Sequence, residues 1–312
     1  MLFLSVVRRV ILPLSAVMLS ALLTWSGCTA RENVPASAPD IVAAPQKGFS
    51  GFLLAELEDQ AIHRGDLILV NKGNPFHFPQ EQLLTTVWDH KSGSYFVRSM
   101  DLLLSPAALD AVNTMLDDFL AQGHEKTINL VAGWRSADMQ QYLFEQSEEQ
   151  SGLTHARQYV ALPGCSEHHT GLAVDFSLYF QDGTSADFTG EGEYAWITEN
   201  CAQYGLILRY ESEKESFTGI AYEPWHFRYV GIPHAAAMQQ LEMCLEEYHA
   251  YLRGFPYEGE HLFLTQGSDR YEIWFEQGSD AHLPIEGEYT VSGNNVDGLI
   301  VTRKLLDGDF TG

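Results

Sequence analysis

Pro163-Gly164-Cys165-Ser166-Glu167-His168-His169-Thr170-Gly171-Leu172-Ala173-Val174-Asp175 is the stretch on which this chain turns, with Glu223-Pro224-Trp225-His226 further along. Two imidazoles and one carboxylate make a three-ligand shell for zinc, leaving a fourth position open for water. A carboxylate three residues from a ligand histidine, Glu223 before His226, can stand beside that water as a general base. On a regular strand positions i and i+3 face opposite sides, so Glu223 is expected just before the strand, where Pro224 bends the chain. The helical H-E-x-x-H arrangement does not occur. Each residue alone has an ordinary structural explanation. His168 or His169 could be a hydrogen-bonding histidine, Asp175 a helix cap, and Glu223 a solvated charge at a strand end.

Outward from this stretch, apolar periodicity places the elements. Ala173–Leu178 and Trp225–Val230 read as strands, as do Thr127–Ala132 and Leu206–Tyr210. Leu67–Val70 reads as a strand ending in the turn Asn71-Lys72-Gly73-Asn74. Ser105 caps a helix with Pro106 at its first position and Leu109, Val112, Met115, Leu116, Phe119 and Leu120 on one face; Gly123 ends it. Ser136 caps a second helix carrying Gln140, Tyr142 and Leu143. Tyr194–Tyr204 predicts a helix stopped at Gly205, and Pro233 opens a long amphipathic helix ended at Gly254. Without regular strand–helix–strand alternation this is an α+β fold: a central antiparallel sheet with flanking helices. After residue 257 the pattern changes to short alternating segments, His261–Thr265, Tyr271–Phe275, Tyr289–Ser292 and Leu299–Thr302, expected as a small C-terminal β appendage. Gln266-Gly267-Ser268-Asp269 recurs as Gln277-Gly278-Ser279-Asp280, which is shared turn chemistry rather than a duplication.

The pattern S-x-H-x-x-G-x-A-x-D followed by E-x-x-H resembles that of VanY-type D-alanyl-D-alanine carboxypeptidases, zinc peptidases of the LAS superfamily. Ser166, His168, Gly171, Ala173, Asp175, Glu223 and His226 carry it. The likeness extends to Leu67-Ile68-Leu69-Val70-Asn71-Lys72, Gly133-Trp134-Arg135-Ser136, Leu206-Ile207-Leu208-Arg209-Tyr210 and Tyr222 through Gly231, so it spans Gly51 to Leu252. The resemblance implies that His168, Asp175 and His226 bind Zn2+ and that Glu223 moves protons. It implies that Arg135 steadies the oxyanion and that Ser166, Gln140 and Tyr210 line the substrate pocket. It also selects His168 over His169, which has no counterpart among the family ligands. The implied substrates are peptidoglycan stem peptides ending in D-Ala. Three alternatives share the scaffold: L,D-carboxypeptidase action, dipeptidase action, and a catalytically silent wall-peptide binder. A silent protein is expected to lack a ligand or the base, and all are present here.

A serine D,D-peptidase would need Ser-x-x-Lys. None of Lys47, Lys72, Lys91, Lys126, Lys214 or Lys304 has a serine three residues earlier. A formal charge of −24 over 312 residues excludes nucleic acid as a partner, because too little positive charge faces the phosphates.

Arg8 and Arg9 precede an apolar run from Val10 to Thr24, then Ser26, Gly27 and Cys28. This is a charged n-region and an h-region, and the small residues before Cys28 resemble the lipobox of a bacterial lipoprotein. Trp25 departs from the usual aliphatic residue there, which leaves an uncleaved signal anchor as the alternative. Either places the body outside the cytoplasm, held to the membrane. The expected organisation is a signal segment over 1–28 with lipidation at Cys28, a tether over 29–48, a D,D-carboxypeptidase domain over 49–257, and the β tail over 258–312. Cys165, Cys201 and Cys244 lack C-x-x-C spacing, so they predict neither a metal site nor a disulfide framework.

Overall fold

The computed structural model describes residues 40–45 and 51–306. In chain order, β1 (Asp40–Pro45) and β2 (Phe52–Glu56) precede β3 (Thr85–Thr86), α1 (Val87–His90), β4 (Phe96–Val97) and β5 (Leu103–Leu104). Then come α2 (Pro106–Ala121), β6 (Ile128–Ala132), α3 (Ala137–Ser151), α4 (Leu153–Tyr159), β7 (Ala173–Tyr179) and β8 (Ser185–Asp187). Next are α5 (Ala195–Asn200), β9 (Leu206–Tyr210), α6 (Glu215–Thr218), β10 (Glu223–Tyr229), α7 (Ile232–Leu241) and α8 (Leu245–Leu252). Five strands close the described chain: β11 (Glu260–Gln266), β12 (Asp269–Gln277), β13 (Asp280–Pro284), β14 (Glu288–Gly293) and β15 (Gly298–Leu305).

The central sheet runs β4-β6-β7-β10-β9, with β8 on β7; it is antiparallel except for the β4–β6 pair. Helix α2 begins where expected, with Ser105 Oγ accepting from the Ala108 N–H. Its Leu109, Val112, Met115, Leu116 and Phe119 are buried against Ile128 and Leu130 of β6, Val174, Phe176 and Leu178 of β7, and Phe227 of β10. Each such burial is worth about 1.5–3 kcal/mol, against about 1 kcal/mol for the cap. The apolar face therefore docks the helix, and the cap fixes only where it starts. Strand alternation then turns Asp175 of β7, with His226 and Arg228 of β10, toward the opposite side of the sheet.

A second sheet, β1-β11-β12-β15-β14, lies beyond. It is no appendage. Leu262, Leu264, Ile273, Phe275 and Ile300 share one core with Ala235 and Met238 of α7, and with Leu245, Tyr248 and Leu252 of α8. Strand β13 pairs with β2 from the other end of the chain. Part of the expected tether is also built in, since β1 pairs with β11 from Asp40↔Thr265 to Pro45↔Glu260. Gly267 and Gly278, with φ of 59° and 91°, sit at the two similar turns and adopt the left-handed region those turns need.

Three element predictions differ from the structure. Leu67–Val70 is buried but pairs with no strand. Its backbone is satisfied singly instead: Leu67 N–H donates to Ser292 Oγ (2.9 Å) and Leu69 N–H to Asn294 O (3.2 Å), while Asn295 Nδ2 donates to Leu69 O (2.8 Å). The helix opened by Pro233 breaks at Glu242, which takes φ 53°, and restarts as α8, where Glu247 Oε2 accepts from the Cys244 N–H (3.0 Å). The Tyr194–Tyr204 helix shortens to α5 between two 3-10 turns, ended by Gly205 at φ 81°.

Candidate active site

Antiparallel pairing brings the two quoted segments together, since His226 of β10 lies directly opposite Asp175 of β7. His168 arrives on a 3-10 turn, Glu167–Thr170, whose start is capped by Ser166 Oγ accepting from the His168 N–H (3.3 Å). Gly171 ends the turn at φ 72°, and a Cβ there would meet Leu84 Cδ2 at 2.5 Å and Ser105 N at 3.2 Å. Both the backbone conformation and the packing require glycine.

His168, Asp175 and His226 are all buried, and one ligand atom from each lies within 4.8 Å of the others. His168 Nδ1 is 2.7 Å from Gly133 O, so Nδ1 carries the proton and Nε2 keeps its lone pair, 3.2 Å from Asp175 Oδ2. His226 Nδ1 lies 3.0 Å from Asp175 Oδ1, yet that oxygen is buried without a hydrogen bond. Burial and the Arg135 charge push the His168 imidazole down to about 4, with Asp175 opposing, which keeps it neutral and able to ligate. Burial also acts to lower His226, but the Asp175 and Glu167 carboxylates overcome it and raise the imidazole to about 9. A buried carboxylate within 3.2 Å of two imidazole nitrogens is a set of nitrogen and oxygen donors for a cation, and zinc fits that set.

Glu223 stands at the edge of this cluster, with Oε2 3.7 Å from His226 Nδ1. It is the first residue of β10 rather than a residue before it. Between Glu223↔Tyr210 and Phe227↔Leu208 the β9–β10 register shifts. That irregularity breaks the strict alternation that would have sent Glu223 and His226 to opposite faces. Burial raises the Glu223 carboxyl from 4.5 to about 7; Asp175 adds to this, and His226 and Arg135 oppose it.

Arg135 follows β6 and donates from Nη2 to Asp175 Oδ2 (2.7 Å), while Nη1 lies 3.5 Å from Gln140 Oε1. Gln140 is buried and donates from Nε2 to Ala161 O (2.8 Å). Tyr210 places its ring 4.8 Å from that of His226. His169 points away from the cluster: Nδ1 donates to Arg135 O (2.7 Å) and Nε2 accepts from the Gly164 N–H (3.0 Å). Among the described residues Cys165, Cys201 and Cys244 are free, and Cys28 lies outside them.

The sequence reading missed what stands behind His226. Glu167 is fully buried; Arg209 donates to its Oε1 from Nε at 2.8 Å, and Arg228 Nη1 lies 3.0 Å from the same oxygen. Burial alone would raise this carboxyl, but the two guanidinium groups hold it well below the usual range. The available signal was an arginine within each of the strands β9 and β10, together with an acid lodged within the motif.

Residues 101–232 match the family model described as VanY, D-alanyl-D-alanine carboxypeptidase. A D-alanyl-D-alanine carboxypeptidase of Enterococcus faecium is 31% identical over 79% of this chain and 77% of its own length. The bifunctional D-Ala-D-Ala dipeptidase and D-Ala-D-Ala carboxypeptidase VanXYC of Enterococcus gallinarum is 38% identical over 60% of this chain and 94% of its own. The crystal structure of the vancomycin resistance D,D-dipeptidase VanXYg, in complex with a D-Ala-D-Ala phosphinate analogue, superposes with a TM-score of 0.73. It is 31% identical and covers 81% of this chain and 99% of its own. No described helix is long and apolar enough to cross a membrane.

Proposed function

Because this chain belongs to the VanY family of D-alanyl-D-alanine carboxypeptidases and is therefore a peptidase, we propose that it is a zinc enzyme releasing the terminal D-Ala from peptidoglycan stem peptides. The observation that carries this reading is the convergence of His168, Asp175 and His226 in one buried cluster with Glu223 at its edge. Zinc held by those three residues would supply Lewis-acid chemistry, acidifying a water and polarising the scissile carbonyl. Glu223 takes a proton on its carboxylate from the attacking water and returns it to the departing amine. A buried carboxylate at the edge of the cluster can both accept that proton and return it near neutral pH. Arg135 supplies a charge that does not titrate and fixed N–H donors for the oxyanion, worth about 3–4 kcal/mol of barrier. Ser166, Gln140 and Tyr210 shape the pocket, Gln140 by bracing the Arg135 guanidinium. A chelator should abolish hydrolysis and added zinc restore it, with no time-dependent covalent labelling by a penicillin. Labelling, or activity indifferent to chelation, would overturn the zinc reading.

Dipeptidase action on free D-Ala-D-Ala is the second reading, favoured by the bifunctional naming of the Enterococcus gallinarum relative.

The body of the protein is proposed to work outside the cytoplasmic membrane, anchored through Cys28. The charged n-region, apolar run and small residues before Cys28 support this. Cys28→Ala is expected to stop fatty-acid labelling and leave an unprocessed precursor. An unchanged size with unchanged labelling would favour an uncleaved anchor.

A further inference from the structure

We infer that Glu167 positions His226, fixing which of its ring nitrogens faces the metal; the inference rests on the zinc reading above. His226 lies between carboxylates, with Nδ1 toward Asp175 and Glu223 and Nε2 toward Glu167 Oε2 at 3.7 Å. Both His226 Nε2 and Glu167 Oε2 are buried without a hydrogen-bond partner. Buried polar atoms are costly to leave unpaired. They face one another, and a closure of about 0.5 Å brings them into hydrogen-bond range. His226 therefore ligates through Nδ1 while its Nε2–H donates to a carboxylate. His168 does the reverse, giving its Nδ1–H to the Gly133 carbonyl. A carboxylate acceptor orients the ring and makes the ligating nitrogen more basic.

Glu167 is itself immobilised. Arg209, which donates to its Oε1, is anchored to Glu246 of α8 through Nη1 (2.9 Å) and Nη2 (2.7 Å). Arg228 donates from Nη2 to Asp66 O (2.9 Å) and Ile68 O (3.0 Å), and from Nε to Tyr229 O (2.9 Å). Leu67 and Leu69 are in turn pinned by Ser292 of β14 and by Asn294 and Asn295 between β14 and β15. The C-terminal sheet thus braces the metal ligand through Arg228 and Glu167. Buried ion networks of this kind contribute little net stability compared with apolar packing, so orientation is what this one supplies.

Three full-length proteins test it: wild type, Glu167→Gln and Glu246→Gln. Glutamine offers one oxygen and one NH2, so either the arginines or His226 must face a donor. Glu246→Gln disturbs the same network without touching His226. Chelator competition should show zinc affinity falling about 10- to 100-fold in Glu167→Gln and by a smaller factor in Glu246→Gln, with metal-free melting temperatures recorded for both. Long-range proton–nitrogen NMR of the zinc-loaded wild type should show His226 protonated at Nε2 and coordinated through Nδ1, a result that stands even if Glu167→Gln does not fold. Wild-type affinity in Glu167→Gln, an equal loss in Glu246→Gln, or coordination through Nε2 of His226 would each overturn the inference. A wild type that binds no zinc would instead overturn the zinc reading.

Discussion

Glu223→Gln is expected to keep its zinc and its substrate affinity and to lose turnover by about 10² to 10⁴, the usual worth of a positioned acid–base group. Glutamine preserves the shape at the edge of the cluster and removes the site that accepts a proton. The same variant has a second expected effect, on stability. Burial raises the Glu223 carboxyl from 4.5 to about 7 in the metal-free protein. A carboxyl with a raised native pKa binds its proton more tightly when folded. It therefore favours the folded chain fully below its unfolded value, and that contribution is lost as pH rises through about 7. Metal-free wild type should lose stability from Glu223 between those two values, and Glu223→Gln should not. Denaturant midpoints at pH 5 and pH 8, measured beside zinc content and kcat, check both effects. Loss of zinc from Glu223→Gln, or retained turnover, would contradict the assignment.

Replacing a ligand should do something different. His168→Ala, Asp175→Ala and His226→Ala are each expected to lose zinc and activity together, because two remaining donors do not complete a three-ligand shell. Asp175→Ala also deprives Arg135 of its 2.7 Å partner. His169→Ala is the informative contrast. Both of its ring nitrogens are engaged with backbone, so its removal strands the Arg135 carbonyl and the Gly164 N–H. The expected result is retained zinc with about 1–3 kcal/mol of lost stability. Metal analysis of the four variants reads this directly, and zinc lost from His169→Ala but kept by His168→Ala would reverse the roles.

The sequence carried the central sheet well because Gly133, Gly171, Gly205 and Gly231 bound its apolar strands; β9 runs Leu206–Tyr210 as read. It failed where satisfaction is non-local. Leu67–Val70 looks like a strand because it is apolar, yet its hydrogen bonds go to side chains and loop backbone from distant parts of the chain, which periodicity does not reveal. The β-rich end looked separable because its strands are short, but its buried face is completed by α7, α8 and Leu67. Within the site, residue type alone left His168 and His169 equivalent. The difference is the 3-10 turn that points one ring at Asp175 and the other at backbone. The Glu223–His226 contact depended on a register irregularity that no single strand announces. Glu167 was hidden inside the very motif being read, its partners lying on β9 and β10.

The central claim is that this site removes one D-alanine from the end of a stem peptide. Its most direct test is mass analysis of the products from a defined muramyl pentapeptide ending in D-Ala-D-Ala, incubated with zinc-loaded wild type. A tetrapeptide and free D-alanine are expected in equal amounts, formed about 10²- to 10⁴-fold more slowly with Glu223→Gln. An intact pentapeptide, or cleavage at any other bond, would contradict it.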